Sequence, residues 1–481
     1  MPAEVTATDA AGENAAAARD QAAEEAVRSA ARAARAAVPG LASAPDAQID
    51  EALRAMAAAL EAAAPAILKA NQDDMRAAAE AGLPAAMQDR LKLDEARITA
   101  MAGQLEILAA VPHEPLTRKV RDLPGGLVAS ERRRPVGVVG ANFEARPNVT
   151  IDVASQLIKS RNAGVLRTGS AALRSAIALA DEVIAPALGK AGLSPQAIQL
   201  VRVPGQAAAY ALVAQPQLVP LVILRGSGAS TRALAATGAA HGVRTLAHAD
   251  GGGVLYIHAS ADRNVVTPLI SASLDRLGVC NRLNLLLVDT QLWDEWLPEL
   301  TAQLDGLGIT ASLPPHDHPV GYEWALEAGR EATVTIAPAM SPAHAAAIAN
   351  EETSGLAAGI AAADPAAAAQ FLDGYAGTGA FWNAPTRLLD GFKLLGVPET
   401  GINIDALPGP RGPVTFRDLY LRQFVVTPGL VDLAAEKRVN CRYFTMWWAR
   451  SSRPCWRPPK AKTRGRSRSF GGTRTRPCCA T

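Results

Sequence analysis

The alternation of short apolar runs with longer helical segments constrains the fold more than any other feature of this sequence. From Pro135 onward, the run "VGVVG" precedes an amphipathic segment that Gly164 can end, and strand-like runs such as "LVPLVILRG" follow at intervals. Strands that alternate with helices of ten or more residues are typical of βαβ units. Continuous apolar runs indicate strands that are buried on both faces. The sequence therefore predicts an α/β fold with parallel sheets.

The ends of the predicted strands indicate where a ligand binds. Open parallel sheets bind ligands at the carboxyl ends of their strands. In the first predicted sheet these ends are residues 140–148, 167–170 and 225–230. A second α/β stretch begins near Gly253 and continues to about Asn383.

The net charge of the first 439 residues argues against a general nucleic-acid-binding surface. The chain has 481 residues and a formal net charge of +2, but residues 440–481 hold 11 Lys and Arg and no Asp or Glu. The first 439 residues therefore carry −9, and such a mildly acidic body does not attract nucleic acid. No apolar run is long enough to span a bilayer, and the N-terminus lacks a signal-peptide pattern. One cysteine among these 439 residues forms no internal disulfide, which fits the cytoplasm.

That cysteine, Cys280, lies where a helix-like segment gives way to the strand-like run "NLLLVD". One interpretation is a small core residue, which is the usual role of a solitary cysteine among apolar neighbours. The other is a nucleophile, because a turn can direct a side chain into a cleft. Arg276 and Arg282 are close in sequence, and positive charge favours the thiolate.

Longer motifs connect the chain to a known family. "FEARPNVT" (143–150) is similar to the family's "YESRPNVT", and "RLGVCNRLNLLLV" (276–288) is similar to its "RPGVCNALETLLV". "DRLKLDEARITAMA", "HADG", "NEETSG" and "NAPTRLLDG" extend the similarity over about residues 25–420. The chain resembles the glutamate-5-semialdehyde dehydrogenases, also called γ-glutamyl phosphate reductases, of the aldehyde dehydrogenase superfamily.

The resemblance implies an aldehyde dehydrogenase-like α/β fold with two Rossmann-type parallel-sheet domains and a small oligomerisation element. Residues 25–252 are predicted to form the cofactor-binding domain and residues 253–399 the catalytic domain. Residues 400–435 return to the cofactor-binding domain or to the oligomerisation element. Residues 1–24, which contain little apolar surface beyond alanine, are predicted to be a disordered leader, and residues 436–481 a basic, disordered tail.

The activity implied by the resemblance is the NADPH-dependent reduction of L-glutamyl 5-phosphate to L-glutamate 5-semialdehyde. Phosphate is released through a cysteine thioester, in the second step of proline biosynthesis from glutamate. The resemblance also implies a homo-oligomer in the cytoplasm and functional coupling to glutamate 5-kinase. No metal, membrane or nucleic-acid partner is expected.

Two residues are predicted to be catalytic. Cys280 stands in the family's nucleophile position and would attack the acyl phosphate. Asn148 follows the first strand, near the start of a helix at about Val149, and would donate a hydrogen bond to the oxyanion beside the positive helix N-terminus. The alternative for Asn148 is a helix N-cap without a catalytic role.

The predicted cofactor residues follow two strands and a later loop. They are Arg167, Thr168, Gly169 and Ser170 after the second strand, then Gly226, Ser227 and Glu399. The guanidinium of Arg167 would pair with the 2′-phosphate of NADPH, or Arg167 is a surface arginine. Glu399 would bind the nicotinamide ribose.

Glu144 and Arg146 are the predicted substrate residues. They would hold the phosphate and the α-amino group of the substrate, or they form a structural ion pair. The segment "LAHADGGG" (246–253) lacks the glutamate that activates water in hydrolytic aldehyde dehydrogenases. This absence favours reduction of an acyl phosphate over formation of a free acid, because activated water would destroy the thioester.

Two other functions remain compatible with the sequence. One is a paralogous reductase for another acyl phosphate or acyl thioester in specialised metabolism. The other is a non-catalytic protein that binds nucleic acid through its basic tail. The tail has no paired cysteine spacing for a metal, and a shifted reading frame would give a similar composition.

Overall fold

The computed structural model describes residues 7–248, 251–327, 329–405 and 409–429. The residues up to Pro428 form one compact unit. The basic tail predicted for residues 436–481 lies outside the described residues.

Helices and strands alternate through most of this unit. The α-helices are α1 (Ala7–Ala42), α2 (Asp46–Ala62), α3 (Ala64–Glu80), α4 (Ala85–Leu91), α5 (Glu95–Ala110), α6 (Asn148–Lys159), α7 (Leu173–Leu179), α8 (Ala185–Lys190), α9 (Ala207–Val213), α10 (Gly228–His241), α11 (Arg263–Ser273), α12 (Trp293–Gly306), α13 (Pro342–Glu352), α14 (Pro365–Gly374) and α15 (Gly391–Leu395). The strands are β1 (Thr117–Leu123), β2 (Leu127–Pro135), β3 (Val138–Phe143), β4 (Ala163–Thr168), β5 (Ile198–Leu200), β6 (Leu221–Arg225), β7 (Arg244–His248), β8 (Gly253–Ile257), β9 (Leu283–Asp289), β10 (Thr310–Ser312), β11 (Thr333–Ala339), β12 (Ala357–Ala361), β13 (Gly379–Trp382), β14 (Gly401–Asn403), β15 (Gly412–Val414) and β16 (Tyr420–Pro428).

The first parallel sheet has the strand order β5-β4-β3-β6-β7. All its strand pairs are parallel, and every residue of β3 and β4 is buried. The sheet is therefore covered on both faces, as the continuous apolar runs predicted. Because the strands are parallel, the residues after β3, β4 and β6 lie at one edge of the sheet.

The second parallel sheet has the order β10-β11-β9-β8-β12-β13, and its strand pairs are also parallel. The chain passes from one sheet to the other between β7 and β8. Strand β9 is buried along its whole length and begins three residues after Cys280. The two predicted parallel sheets are thus confirmed.

A third sheet, which the sequence did not predict, is antiparallel and has the order β1-β2-β16. Most residues of β1 and β16 are exposed. Charged residues interrupt β1 and β2, as in "TRKVRDL" and "SERRRP", so no apolar run identifies these strands. The sheet forms because β16 pairs with β2 from nearly 300 residues away, and a local pattern does not contain that pairing.

The predicted disordered leader differs from the structure, which has residues 7–24 inside helix α1. Ala23, Val27, Ala31 and Ala34 are buried and pack in a cluster with residues of the first sheet and helix α9. Their spacing of three to four residues gives one apolar face. The prediction treated alanine as too small to drive packing, but an alanine stripe lets a helix approach its neighbours closely.

A buried ion pair connects the N-terminal helices to α6. The ammonium of Lys159, which has no solvent exposure, donates to Asp50 at 2.8 Å and to the Val111 carbonyl at 2.7 Å. His113 also contacts Asp50, with 2.8 Å between Nε2 and Oδ1. Burial alone would raise the pKa of Asp50, but hydrogen bonds and charge from Lys159 and His113 lower it. These contacts fix the C-terminal end of the helix that Asn148 begins.

We expect Lys159→Met to lower the free energy of unfolding by about 3 kcal/mol, because it leaves a partly buried carboxylate without its main partner. Urea unfolding followed by circular dichroism measures the change. The control is Arg76→Met, which removes an exposed arginine whose ion pair with Asp73 spans 3.3 Å. That variant should change stability by less than about 0.5 kcal/mol. Equal effects of the two substitutions would contradict a stabilising role for the buried pair.

Candidate active site

Cys280 lies in the turn between α11 and β9, as the sequence predicted, and hydrogen bonds hold this turn from three sides. The Cys280 carbonyl accepts from the backbone N–H of Gly252 at 2.7 Å. The Asn281 side chain donates to the Leu389 carbonyl at 2.9 Å, and the Asn281 carbonyl accepts from the Thr386 hydroxyl at 2.8 Å. The Arg90 Nε donates to the Gly278 carbonyl at 3.1 Å. The backbone that carries the thiol is therefore fixed.

The thiol is free and half-buried against a small apolar cluster that includes Leu356, Phe381 and Leu389. Burial raises the pKa of the Cys280 thiol to about 11, the positive charges of Arg146 and Arg225 lower it, and Glu399 and Glu323 raise it. Cys280 thus lies within a group of charged residues, which is not the environment of an ordinary core cysteine.

The two arginines that the sequence placed beside the thiol have other partners. Arg276 pairs with Asp89 at 3.0 Å. Arg282 is buried and donates to the Thr333 carbonyl and to Asn284, both at 3.3 Å. The positive charge at Cys280 comes from Arg146 and Arg225 instead. The prediction was wrong because neighbours in a turn can point in opposite directions.

Asn148 is the first residue of α6, as expected, but it does not cap the helix. Pro147 precedes the helix, and the Asn148 carboxamide donates to the Asp152 carboxylate one turn later, at 3.0 Å. Burial raises the pKa of Asp152 to about 6, against the charge of Arg225. The orientation of the Asn148 carboxamide is thus fixed by Asp152.

Arg146 and Arg225 form the positive centre of the site. Arg225 ends β6 and donates to the Thr400 carbonyl at 3.1 Å. The side chain of Arg146 makes no hydrogen bond or ion pair with any residue that the structure describes. Burial, together with the like charges of Arg225 and Arg90, lowers the pKa of Arg146 to about 10. Its charge is therefore available for a bound anion.

Besides Asp152, a second acidic residue with a raised pKa, Glu399, adjoins this centre. The Glu399 carboxylate accepts from the Gly391 backbone N–H, and burial raises its pKa to about 7, opposed by the charge of Arg225. Glu399 also affects the ionisation of Cys280. The structure thus places Glu399 near the thiol, which is compatible with its predicted contact to a nicotinamide ribose.

The other predicted cofactor residues come together at the edge of the first sheet. Thr168 ends β4, Gly169 and Ser170 follow it, and Gly226 and Ser227 connect β6 to α10. Glu144, predicted to bind substrate, joins this group instead, because its carboxylate accepts from the Ser227 N–H at 3.2 Å. A Cβ at Gly226 would lie 2.8 Å from that carboxylate, so a larger residue there would displace the Glu144 side chain.

The residues at this edge fit a dinucleotide. Arg167 Nε and Thr168 Oγ1 are buried and lack a hydrogen-bond partner within the described part of the chain. Such atoms normally have a partner in the functional protein. Helix α10 begins shortly after β6, so its N-terminus faces the same edge of the sheet. The side chain of Ser227, which precedes the helix, does not cap it.

The segment that lacks the hydrolytic glutamate packs directly on the nucleophile turn. A Cβ at Gly251 would lie 2.6 Å from the Cys280 carbonyl oxygen. The Gly251 N–H donates to the carboxylate of Glu323 at 2.8 Å, a residue that the sequence did not single out. Residues 249 and 250 lie outside the described residues.

A cavity of about 230 Å³ adjoins Asn148 and the residues before Cys280. Its wall carries five cationic side chains and no carboxylate. It is lined by Arg90, Lys92, Leu93, Arg97, Ala100, Met101, Gln104, Arg146, Asn148, Arg276, Gly278 and Val279. Of the two predicted substrate residues, it includes Arg146 but not Glu144. The cavity therefore suits a small, strongly anionic molecule.

Two other kinds of site are absent from the part of the chain that the structure covers. Its His, Cys, Asp and Glu side chains form no cluster of three or more that would bind a metal ion. None of its helices combines the length and the apolarity needed to cross a membrane.

Comparison with known proteins identifies the family. The model of the aldehyde dehydrogenase family matches residues 3–319. The chain is 34% identical to a γ-glutamyl phosphate reductase of Synechococcus elongatus, over 75% of this chain and 84% of that protein. It is 35% identical to that of Clavibacter michiganensis, with the same coverage. The crystal structure of the Thermotoga maritima enzyme superposes with a TM-score of 0.75 at 24% identity, over 83% of this chain and 98% of that one.

The chain therefore belongs to the aldehyde dehydrogenase family, and its fold is the aldehyde dehydrogenase fold. It is an oxidoreductase. Within the family it belongs to the γ-glutamyl phosphate reductases, as its two long motifs predicted.

We expect alkylation of Cys280 by iodoacetamide to rise with pH with an inflection near pH 11, because the thiolate is the reactive form. Arg146→Met removes a charge that favours the thiolate and should raise the pKa of Cys280. Glu399→Gln removes an opposing charge and should lower it. Mass spectrometry of the peptide that contains Cys280 gives the rate, because four other cysteines lie beyond residue 440.

The control for this experiment is Arg276→Gln, since the charge of Arg276 is paired with Asp89. It should shift the pKa of Cys280 less than Arg146→Met does. A wild-type inflection near pH 7, or a larger shift in the control, would contradict this description of the thiol.

Proposed function

We propose that this protein reduces L-glutamyl 5-phosphate to L-glutamate 5-semialdehyde with a nicotinamide cofactor, releasing phosphate. The observation that carries the proposal is the cationic cavity lined by Asn148 and by Gly278 and Val279, which directly precede Cys280. An acyl phosphate brings a phosphate group to the thiol, and a γ-glutamyl group adds a carboxylate. A cavity with five cationic residues and no acid suits both groups.

The thiolate of Cys280 attacks the acyl carbon, so that a C–S bond forms and the bond from carbon to the phosphate oxygen breaks. Arg146, which has no carboxylate partner in the described structure, stabilises the departing phosphate. Asn148 donates its second amide hydrogen to the oxyanion, and Asp152 holds the carboxamide in that orientation. The N-terminus of α6 adds positive potential at the same point.

The nicotinamide, when bound, supplies the hydride that reduces the thioester. Thr168 to Ser170, Gly226 and Ser227 would hold the dinucleotide, and Glu399 would contact the ribose near Cys280. After reduction, the C–S bond of the thiohemiacetal anion breaks, which releases the aldehyde and regenerates the thiolate without a separate acid or base. Asn148 stabilises the oxyanion in this step as well.

NADPH is the form of the cofactor that we propose. Arg167 stands at the end of β4, where a 2′-phosphate would meet a guanidinium. Its terminal nitrogens donate to Asn142 at 3.0 Å and to the Gly205 carbonyl at 2.7 Å. Its Nε, which is buried and has no partner in the described structure, remains as a donor for a 2′-phosphate.

We also propose a homo-oligomer, a cytoplasmic location and functional coupling to glutamate 5-kinase. The third sheet supports the first, because edge strand β16 exposes Leu421, Phe424 and Val426 along nine residues. Long apolar edges normally pair with another chain. Cys280 requires a reducing compartment, and a kinase that acts on the glutamate side chain would supply the acyl phosphate.

We expect reduction of NADP⁺ with L-glutamate 5-semialdehyde to require inorganic phosphate, because the reverse reaction must form the acyl phosphate. Absorbance of NADPH measures the rate. Cys280→Ser should abolish turnover, and Asn148→Ala should lower kcat by about 10²- to 10³-fold. A rate that does not depend on phosphate would show hydrolysis of the thioester and contradict the proposal.

We expect the double variant Phe424→Glu and Val426→Lys to shift the protein toward the mass of one chain in light scattering, because it places charge on the exposed edge. Tyr210→Glu is the matched control, because Tyr210 is also an exposed aromatic residue but belongs to helix α9 and not to strand β16. An unchanged mass in the double variant, with wild-type secondary structure, would exclude β16 from the interface.

A further inference from the structure

The wall of the cationic cavity includes a segment that precedes both parallel sheets. Helix α4 contributes Arg90, the turn after it Lys92 and the start of α5 Arg97, and the loop before Cys280 contributes Arg276. Of these residues, only Arg276 was expected near the site from the sequence. The cavity also contains Gly278 and Val279, which directly precede Cys280.

The carboxylate of Asp89 forms ion pairs with two of these cationic side chains. It accepts from Arg97 at 2.8 Å and from Arg276 at 3.0 Å. Arg97 also donates to the backbone carbonyls of Asp89 and Lys92. Arg97 and Arg276 are thus held in place as an internally paired part of the wall.

Arg90 differs from them. Its Nε donates to the Gly278 carbonyl at 3.1 Å, which fixes the direction of the side chain. Its two terminal nitrogens have no hydrogen-bond or ion-pair partner in the described part of the chain. The half-buried guanidinium of Arg90 is held in position through Nε. Its two terminal nitrogens can therefore donate a pair of hydrogen bonds to a carboxylate.

Arg90 is also at a suitable distance from the reacting sulfur. Gly278 is two residues before Cys280, and two residues of extended chain span at most about 7 Å. In a γ-glutamyl group, the α-carboxylate carbon lies four bonds from the carbon that the thiolate attacks. A substrate whose carbonyl meets Cys280 and Asn148 can therefore place its α-carboxylate near Arg90.

We infer that Arg90 determines substrate specificity by binding the α-carboxylate of the substrate, while Arg146 takes the phosphate. This inference rests on the proposed function, and it makes helix α4 part of the substrate site. Asp89, Arg97 and Arg276 position the wall around Arg90. The chemical class recognised is an acyl phosphate, or the corresponding aldehyde, with a carboxylate four bonds away.

The first experiment compares three aldehydes in the phosphate-dependent reverse reaction. L-Glutamate 5-semialdehyde and 5-oxopentanoate carry the carboxylate, and 4-aminobutanal lacks it. Arg90→Met should lower kcat/KM about 10- to 100-fold for the first two and leave it unchanged for the third. Arg90→Lys, which keeps the charge, should recover part of the loss. The control is Arg76→Met on α3, which should behave as wild type.

The second experiment needs neither substrate nor cofactor. N-Iodoacetylglycine carries a carboxylate four bonds from its reacting carbon, and N-ethyliodoacetamide has the same reacting group without it. In the full chain, Cys280 should react faster with N-iodoacetylglycine than with N-ethyliodoacetamide. Arg90→Met should abolish that preference, and the ratio of the two rates cancels any change in thiol pKa. The peptide that contains Cys280 is followed by mass spectrometry.

The outcomes separate this inference from the proposed function. An equal loss for all three aldehydes would mean that Arg90 only supports the Gly278 loop and would overturn the inference. An unchanged reagent ratio in Arg90→Met would do the same. A wild-type protein that prefers the carboxylate reagent through Arg90, yet fails to oxidise glutamate semialdehyde, would support the carboxylate site and reject the proposed substrate.

Discussion

Burial and positive charge act in opposite directions on the ionisation of the Cys280 thiol. Burial raises its pKa to about 11, while Arg146 and Arg225 favour the thiolate. The hydrogen bonds of Gly252 and Asn281 keep the thiol at this point. Arg146 also lines the cationic cavity, so an anion bound there would be electrostatically coupled to the ionisation of the thiol.

Arg225 links the groups of the active site more than any other residue. It stands at the carboxyl end of β6. Burial raises the pKa values of Asp152, Glu399 and Cys280, and the positive charge of Arg225 opposes that rise in all three. Asp152 in turn orients Asn148. One guanidinium therefore favours the ionised forms of the Asp152 carboxylate, of Glu399, the predicted ribose ligand, and of the Cys280 thiol. The strand order brings these residues together, because β6 lies beside β3, which leads to Asn148.

The sequence identified the residues whose motifs are long and local. Cys280 at a turn before a buried strand and Asn148 at the start of a helix are placed as predicted. Glu144 joined the cofactor group instead of the cavity, because a side chain after a strand can turn either way. From the sequence, Arg225 was identified only as the end of a predicted strand. Asp152 looked like an ordinary polar position on an amphipathic helix, and its contact with Asn148 appears only in three dimensions.

Sequence periodicity by itself determined the two parallel sheets and the edge at which ligands bind, because apolar runs and strand direction are local properties. Only the tertiary structure decided which charges meet. Arg276 and Arg282 are near Cys280 in the chain but pair elsewhere, whereas the charges that act on it come from Arg146, in the loop after β3, and Arg225, at the end of β6. Arg90 enters the cavity from a helix almost 200 residues earlier. Electrostatic interactions depend on distance in space and on burial, and neither quantity is present in the order of the residues.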